Sequence, residues 1–361
     1  SLMNWIGGTV SGSGALTVNG TLSLPNSATA RVLSGRTFDH FGNAVLNSTG
    51  MGLEIINGGV FNNRLGAVFE IRNTAGIGNS GSTSGAGAFN NFGTLSRTTN
   101  AGVTLIWPNN TSDALNFNNT GTVSVTAGGL KFMTAGTHTG SFNVATGASL
   151  EFASTQSLNA ASINGLGALS ISGAINANNA GAVNVGSFTM TAGGSWNQIS
   201  VAPGSFYASD FNVVNGTFIR ALGGDGSTAT PYQLTDIYGV QGIGSVGMLG
   251  NSYVLTKNID ASVTPGWNGG AGFSPIGNAV TTFTGKFIGQ NNTVRNLFIN
   301  RPTTDYVGLF GYSGTGSVIS NVGLVGNSVI GQSKVGGLAG WGSGTINASY
   351  VSGSVSGTGS V

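Results

Sequence analysis

Apolar and polar residues alternate along this chain over short stretches that end at glycine or asparagine. In LGAVFEIR, residues 65–72, an apolar side chain falls at every second position from Leu65 onward. GTVSVT repeats the pattern with Val123 and Val125. A period of two bounded by turn residues is typical of short β-strands, and helical spacing of apolar residues is nearly absent. The pattern predicts an all-β fold.

One phrase returns at a constant interval. Phe-Asn-Asn begins at Phe61, Phe89 and Phe117, so the two intervals between successive starts are equal. FNNFGTLSRT and FNNTGTVSVT share seven of ten residues. Looser copies begin at Phe38, Phe142 and Phe211. Periods of about 20 to 50 residues are typical of solenoids, propellers and arrays.

The interval predicts a right-handed parallel β-helix, or β-solenoid, with about 20–28 residues per coil. Each coil would stack on the next, so that the three Phe side chains form one column in the core. Asn62, Asn90 and Asn118 are expected at a bend, where asparagine tolerates left-handed backbone angles and its amides form ladders. A β-sandwich would explain the strands but not the constant interval.

The character of the chain changes near Gly223, where the polar, proline-containing stretch GGDGSTATPYQLTD begins. We therefore predict two regions, a solenoid of Phe-Asn-Asn coils over residues 1–215 and its continuation over residues 216–361.

A second set of repeats occupies the later region. The phrases around Val294, Ile319 and Ile346 echo one another at similar intervals. GLFGY at Gly308 returns as GLAGW at Gly337 after an interval of comparable length. These intervals predict further stacked coils.

The later repeats carry a resemblance. VGLFGYSGTGSVISNVGLVG and GGLAGWGSGTINASYVSGSVSG resemble GLUG repeats, and the segment before them resembles the one that precedes such repeats in filamentous-haemagglutinin-like bacterial exoproteins. The resemblance covers roughly residues 216–361. Family members carry an acidic residue in the phrase GxFDGNGHTI; here GKFIGQNNTV has Ile288 and Gln290, so an ionic role of that residue is not carried over.

The resemblance implies a secreted or surface-anchored adhesin built on a parallel β-helix. The implied location is extracellular or at the bacterial cell surface, in association with the outer membrane. The implied export partner is a two-partner secretion transporter.

The composition agrees with a buried core and a neutral surface. Of 361 residues 64 are Gly and 6% are charged, whereas a globular protein averages about 25% charged residues. The 12 Lys and Arg and 10 Asp and Glu are scattered singly, so the basic stripe typical of nucleic-acid binding is missing. No apolar run approaches the roughly 20 residues of a membrane span. The absence of Cys excludes disulfides and Cys-based metal sites.

An enzyme that cleaves glycosidic bonds needs two carboxylates about 5–10 Å apart. Stacking of coils would bring Glu54 near Glu70, or Asp236 near Asp260. No acidic motif of such an enzyme is present, and we interpret the acids as isolated and solvent-facing. The ten carboxylates are Asp39, Glu54, Glu70, Asp113, Glu151, Asp210, Asp225, Asp236, Asp260 and Asp305.

Other candidate sites are equally isolated. His40 and His138 lack the spacing of metal ligands, and we interpret them as surface turn residues. LGGDGS around Asp225 occurs once and lacks the full calcium-binding repeat. We therefore predict no catalytic residue, no metal and no cofactor.

The tryptophans offer a candidate binding surface for sugars. Trp267, in the Gly-rich phrase TPGWNGGAGF, is the best candidate for stacking on a glycan ring. Trp341 occupies the position of Tyr312 in the repeat, which favours a structural role.

Together these observations predict a non-enzymatic structural or adhesive module of a bacterial fibre protein. Its partners would be a host cell, a neighbouring cell surface or glycans, and copies of the chain could also associate end to end. The alternatives are a subunit of a self-assembling extracellular filament and a polysaccharide-active β-helix enzyme.

Overall fold

Nearly all regular structure in this chain is β-strand. The computed structural model describes residues 1–49, 52–78, 85–99, 102–107, 115–359 and 361. Its helices are α1, Ile237–Gly242, and a 3-10 segment, Thr264–Gly270. The strands stack in parallel as coils, so the predicted all-β parallel solenoid is confirmed.

The chain forms two compact units. Unit 1 comprises Ser1–Phe188 with Gly204–Tyr207, and unit 2 comprises Thr189–Pro203 with Ala208–Val361. The boundary predicted between residues 215 and 216 lies inside unit 2 and stays a prediction.

The strands of unit 1 are short. They are β1 Leu2–Asn4, β2 Gly8–Val10, β3 Ala15–Val18, β4 Thr21–Leu24, β5 Arg31–Ser34, β6 Thr37–His40, β7 Asn43–Leu46, β8 Leu53–Ile56, β9 Val60–Asn63, β10 Val68–Ile71, β11 Ile77–Gly78, β12 Ala88–Asn91, β13 Thr94–Arg97, β14 Val103–Trp107, β15 Asn116–Asn119, β16 Thr122–Val125, β17 Gly129–Phe132, β18 Gly136–His138, β19 Ser141–Val144, β20 Ser149–Phe152, β21 Gln156–Asn159, β22 Ser162–Asn164, β23 Ala168–Ile171 and β24 Ala174–Asn179.

Three further strands follow, of which the first and the last include residues of both units: β25 Val183–Met190, β26 Gly194–Ile199 and β27 Phe206–Val213. The remaining strands belong to unit 2. They are β28 Gly216–Ala221, β29 Tyr232–Leu234, β30 Ser252–Leu255, β31 Ile259–Asp260, β32 Lys286–Ile288, β33 Thr293–Arg295, β34 Phe298–Asn300, β35 Phe310–Ser313, β36 Val318–Ser320, β37 Gly323–Gly331, β38 Ala339–Gly342, β39 Thr345–Asn347 and β40 Tyr350–Gly357.

In unit 1 each strand from β1 to β22 pairs in parallel with the third strand after it. One face of the stack is β3–β6–β9–β12–β15–β18–β21–β24, and the other two faces begin with β1–β4–β7 and β2–β5–β8. Parallel pairing needs a crossover, and the two intervening strands of each coil provide it. A coil of three strands is therefore the repeating unit of the sequence.

Glycines make the corners of these coils possible. A Cβ atom at Gly121 would collide with the carbonyl oxygen of Gly93, and one at Gly140 would collide with the carbonyl oxygen of Gly121. A side chain at these corners would therefore overlap with the backbone of the previous coil. This close approach explains part of the high glycine content.

The coils of unit 2 vary in length, and this overturns one predicted alignment. Ile319 lies opposite Ile346, but its partner in the preceding coil is Phe287. Val294 belongs to another column, opposite Leu324. The prediction that Val294 and Ile319 occupy equivalent positions is wrong, because a similar phrase recurs on a different strand of the coil.

The other predicted repeat of unit 2 lies in register. Phe310 pairs with Ala339 and Tyr312 with Trp341, which aligns the two phrases that begin at Gly308 and Gly337. The backbone N–H of Leu309 donates to the carbonyl of Gly337.

Candidate functional site

A column of phenylalanines runs through the core of unit 1. Phe61, Phe89 and Phe117 occupy equivalent positions of β9, β12 and β15 and are fully buried. Their ring centroids are 5.1 and 5.4 Å apart, and the planes are within 10° of parallel. Phe38 extends the column, with its centroid 4.9 Å from that of Phe61.

Two of the looser copies do not join this column. Phe142 lies in β19 opposite Val123, and Phe211 lies in β27. Their phrases fall on another strand of the coil, so the alignment of Phe142 and Phe211 with Phe117 is wrong. Phe142 packs edge-on against Phe132 instead.

Shortening one member of the column should weaken unit 1 measurably. Replacing Phe89 by leucine removes two stacked ring contacts and leaves a small void, so we expect the free energy of unfolding to fall by about 1–2 kcal/mol. Phe41→Leu is the control, because Phe41 is 48% exposed. Urea unfolding should show almost no change for the control, and equal losses in both variants would contradict the role of the column.

A second column of polar side chains is buried in the same interior, and all but the last of them follow a phenylalanine of the first column by two residues. His40, Asn63, Asn91, Asn119 and His138 lie in register on successive strands, and all five are buried. The Asn63 amide donates to Asn91 Oδ1 over 2.8 Å, and the Asn91 amide donates to Asn119 Oδ1 over 2.8 Å. We call this column the inner ladder.

The inner ladder uses both hydrogens of the amides of Asn63 and Asn91. The second hydrogen goes to a backbone carbonyl oxygen, from Asn63 to Thr94 and from Asn91 to Thr122. Asn63 therefore has only its oxygen left for His40, and Nδ1 of His40 is the donor over 3.2 Å. Buried polar groups are costly unless they are hydrogen-bonded, and the ladder satisfies the amide groups of Asn63 and Asn91 coil by coil.

His138 lies at the other end of the column, in register with Asn119. Its Nε2 lies 2.7 Å from Gln156 Oε1, and the Gln156 amide donates to the carbonyl of Thr134, so His138 is the donor. The other ring nitrogen of His138, Nδ1, has no hydrogen-bond partner among the described residues.

The interpretation of the histidines as surface turn residues is therefore wrong. Burial lowers the pKa of His40, although its hydrogen bond to Asn63 acts in the opposite direction. Burial likewise lowers the pKa of His138 to about 4, again against the effect of its hydrogen bond to Gln156. Both side chains are neutral at pH 7.

An outer ladder lines the opposite side of the same sheet. Asn62 donates to Asp39 Oδ1, Asn90 to Asn62 and Asn118 to Asn90, over 2.8 to 3.0 Å. Arg64 anchors one end by an ion pair with Asp39 at 2.6 Å. The amides thus form ladders along the stack.

The expected bend at these asparagines is absent. Asn62, Asn90 and Asn118 lie within strands and are not among the residues with positive φ. The prediction of left-handed backbone at the repeat asparagines is wrong, because the phrase occupies a strand rather than a corner. Left-handed asparagines occur elsewhere, at Asn57, Asn268, Asn291, Asn296 and Asn321.

The interpretation of the acids as isolated and solvent-facing is wrong for several of them, because Glu54 is buried and four others form ion pairs. Within the described ranges, the ion pairs besides Asp39–Arg64 are Glu70–Arg72, Glu151–Lys131 and Asp236–Arg220. The hydrogen bond to Arg72 lowers the pKa of Glu70, and a second one from Thr98 adds to it. Asp113 lies outside the described residues.

The two members of each carboxylate pair considered for catalysis lie in different parts of the fold. Glu54 lies on β8 and Glu70 on β10, which belong to different faces of the coil. Asp236 lines a groove of about 480 Å³ with Arg220 and Lys257, whereas Asp260 lines another of about 360 Å³. Each groove has one carboxylate among its lining residues.

The described ranges contain no group of three acidic or histidine side chains suited to a metal ion. Asp225 forms a small turn, in which its carboxylate accepts hydrogen bonds from the Ser227 backbone and the Thr230 hydroxyl. The bond from Thr230 contributes most to lowering the pKa of Asp225 to about 2.

Trp267 cannot contact a glycan, and this corrects its predicted role. Its side chain is fully buried, with ring centroids 5.0 Å from Phe211 and from Tyr238. The backbone leaves helical geometry at Trp267 and turns the indole into the core of unit 2. Trp341, by contrast, is 48% exposed.

No helix among the described residues has the length and apolar character needed to cross a membrane.

Comparison with known proteins gives two partial similarities. The chain is 41% identical over 150 residues to halomucin of Haloquadratum walsbyi, a match that covers 40% of this chain and 2% of halomucin. It is 30% identical over 109 residues to a protein of Evansella cellulosilytica provisionally named a Gly-rich membrane protein, covering 30% of this chain and 12% of that one. The chain thus corresponds to a small part of each relative.

No protein-family model matches the chain. No solved structure matches it either. The resemblance to filamentous-haemagglutinin-like exoproteins with GLUG repeats therefore stays a prediction.

Proposed function

We propose that this chain is a non-enzymatic structural segment of a larger secreted or cell-surface fibre protein that mediates attachment. The observation that carries the proposal is the coil-on-coil stack, in which Phe61, Phe89 and Phe117 and the two amide ladders repeat at a fixed register. Repeats of this kind build extended surfaces by adding coils, and their stability comes from contacts between neighbours.

Two further observations support this proposal. The sequence carries few charges and is rich in glycine, and its relatives are named halomucin and a Gly-rich membrane protein. Those names belong to proteins many times longer than the matched segments, so the location and the attachment role are proposals for this chain. Association with a bacterial outer membrane and export through a two-partner transporter rest on the resemblance alone.

Immunogold electron microscopy of intact, unpermeabilised producer cells tests this proposal. An antibody against the chain should label the cell exterior or shed material, and cells that lack the gene should remain unlabelled. Label confined to the cell interior after sectioning would overturn the proposed location.

A self-assembling filament is the second candidate. Parallel coils extend a stack by pairing of one coil with the next, and copies of the chain would associate by the same strand pairing. Regular polymers in the same micrographs would favour this candidate. A polysaccharide-active enzyme has less support, because the acids of each candidate pair lie on different faces or in different grooves.

A further inference from the structure

Four side chains form a cluster on the surface of unit 2. Tyr312 and Trp341 lie in register on β35 and β38, and the Tyr306 ring centroid is 5.4 Å from that of Tyr312. The Lys334 ammonium lies 4.2 Å from the Tyr306 ring centroid and 5.4 Å from that of Trp341. It also donates to Tyr306 Oη over 2.6 Å. We call these four residues the aromatic cluster.

The sequence repeat determines where the residues of the aromatic cluster lie. YVGLFGY at Tyr306 and KVGGLAGW at Lys334 are successive copies of one phrase, and Val307 pairs with Val335. Tyr306 and Lys334 therefore occupy equivalent positions, and both have left-handed backbone angles with φ of 61° and 54°. Such angles are uncommon for bulky residues. Two consecutive coils thus present side chains from the same unusual position.

The charges around the cluster are balanced. Asp305 precedes Tyr306, and its carboxylate accepts hydrogen bonds from the backbone and hydroxyl of Ser333, the residue before Lys334. One ammonium therefore lies against the aromatic rings, and one carboxylate is bonded to the residue that precedes that lysine. A sugar hydroxyl both donates and accepts hydrogen bonds, so a cation and an anion beside each other suit an uncharged sugar better than a charged one.

Aromatic side chains offer the complementary apolar surface. A pyranose ring with equatorial hydroxyls has a flat face of C–H groups, which packs on an aromatic ring while its hydroxyls reach polar neighbours. Two aromatic residues in register on neighbouring coils provide adjacent ring surfaces along the stack, which suits a chain of sugars rather than a single one.

We propose that the aromatic cluster binds an uncharged glycan chain whose sugars have equatorial hydroxyls. Trp341 and Tyr312 would stack on the sugar rings, and Lys334 and Asp305 would bond the hydroxyls. This proposal rests on the proposed attachment role and deepens it by naming a ligand class, but its site is separate from the coil stack that carries that role.

Affinity electrophoresis of the native chain in gels containing hydroxyethylcellulose tests the proposal. The wild-type protein should be retarded, and Trp341→Ala should weaken the apparent affinity about ten-fold, as expected for loss of a central aromatic contact. Phe41→Ala is the matched control, since Phe41 and Trp341 are each 48% exposed. Circular dichroism of each variant verifies the fold.

Three results would overturn the assignment. They are an absence of retardation in the wild type, retardation that Trp341→Ala leaves unchanged, and retardation only in gels of polygalacturonate that Lys334→Ala abolishes. The last result would assign an acidic glycan instead. Surface labelling of cells is independent of all three, so failure here and failure of the proposed location are distinguishable.

Discussion

Replacing Asn91 by aspartate should lower the free energy of unfolding by about 4 kcal/mol at pH 7, the cost typical of an uncompensated buried charge. Asn91 is almost fully buried and donates to Asn119 Oδ1 and to the carbonyl of Thr122. A carboxylate has the same shape but no hydrogen to donate, so these contacts become oxygen against oxygen. The hydrogen bond that Asn63 donates to the side-chain oxygen of residue 91 would remain.

The neighbouring residue provides a matched control. Asn90 has the same side chain, lies on the same strand and belongs to the outer ladder, where it donates to Asn62 and accepts from Asn118. It is only partly buried, so water can solvate the new charge, and Asn90→Asp should cost about 1 kcal/mol. Urea unfolding of both variants at pH 7 measures the difference. Equal losses would show that the inner ladder does not hold unit 1 together.

Mild acid should destabilise the chain well before most carboxylates titrate. The pKa of His138 is lowered from 6.5 to about 4 in the folded state by burial. The unfolded chain therefore binds a proton as the pH falls through 6.5, whereas folded His138 stays neutral. Stability is present in full above pH 6.5 and declines by about 3 kcal/mol as the pH reaches 4. His40 acts in the same direction, because burial lowers its pKa too.

The surroundings of His138 explain why it resists protonation. Its ring lies among Phe117, Phe142 and Phe152, with centroids 5.0 to 6.3 Å away. A second proton would reside on Nδ1, which has no acceptor among the described residues. A buried charge in such surroundings is costly unless it is paired.

The variant His138→Phe isolates this contribution. Phenylalanine fills the site without titrating, so its free energy of unfolding should change by about 3 kcal/mol less than that of the wild type between pH 6.5 and 4. Urea unfolding at half-unit steps of pH gives both curves. Parallel curves would mean that folded His138 binds its proton over the same pH range as the unfolded chain does.

Sequence periodicity predicted much of unit 1 because its Phe-Asn-Asn coils keep a constant length. The constant interval places Phe61, Phe89 and Phe117 on equivalent strand positions. In unit 2 the interval between equivalent positions varies. The same reasoning therefore aligned Val294 with Ile319, although the two residues lie on different strands of the coil.

The inner ladder was missed although its signal was present. Side chains of a strand alternate between its two faces, so Asn63 must share the interior with Phe61, while Asn62 faces away. The same alternation places His40 beside Phe38 in the interior. Reading asparagine as a turn residue concealed this, since turns favour asparagine for its backbone angles as well as for its amide.

The burial of Trp267 had no comparable signal. It depends on a break inside a 3-10 segment and on packing against Phe211 and Tyr238, which are distant in sequence. Local composition indicated an exposed loop, but tertiary packing buries the Trp267 side chain.

The central claim is that each repeat closes one coil, so that equivalent residues of successive repeats are direct neighbours. The chain has no cysteine, and a disulfide requires Cα atoms within about 7 Å. Neighbouring coils lie about 4.8 Å apart, so the double variant Asn90→Cys/Asn118→Cys should form a disulfide on mild oxidation, measured by mass spectrometry. Asn62→Cys/Asn118→Cys, two coils apart, should remain reduced. Reduced thiols in the first variant, or equal oxidation of both, would contradict the coil register.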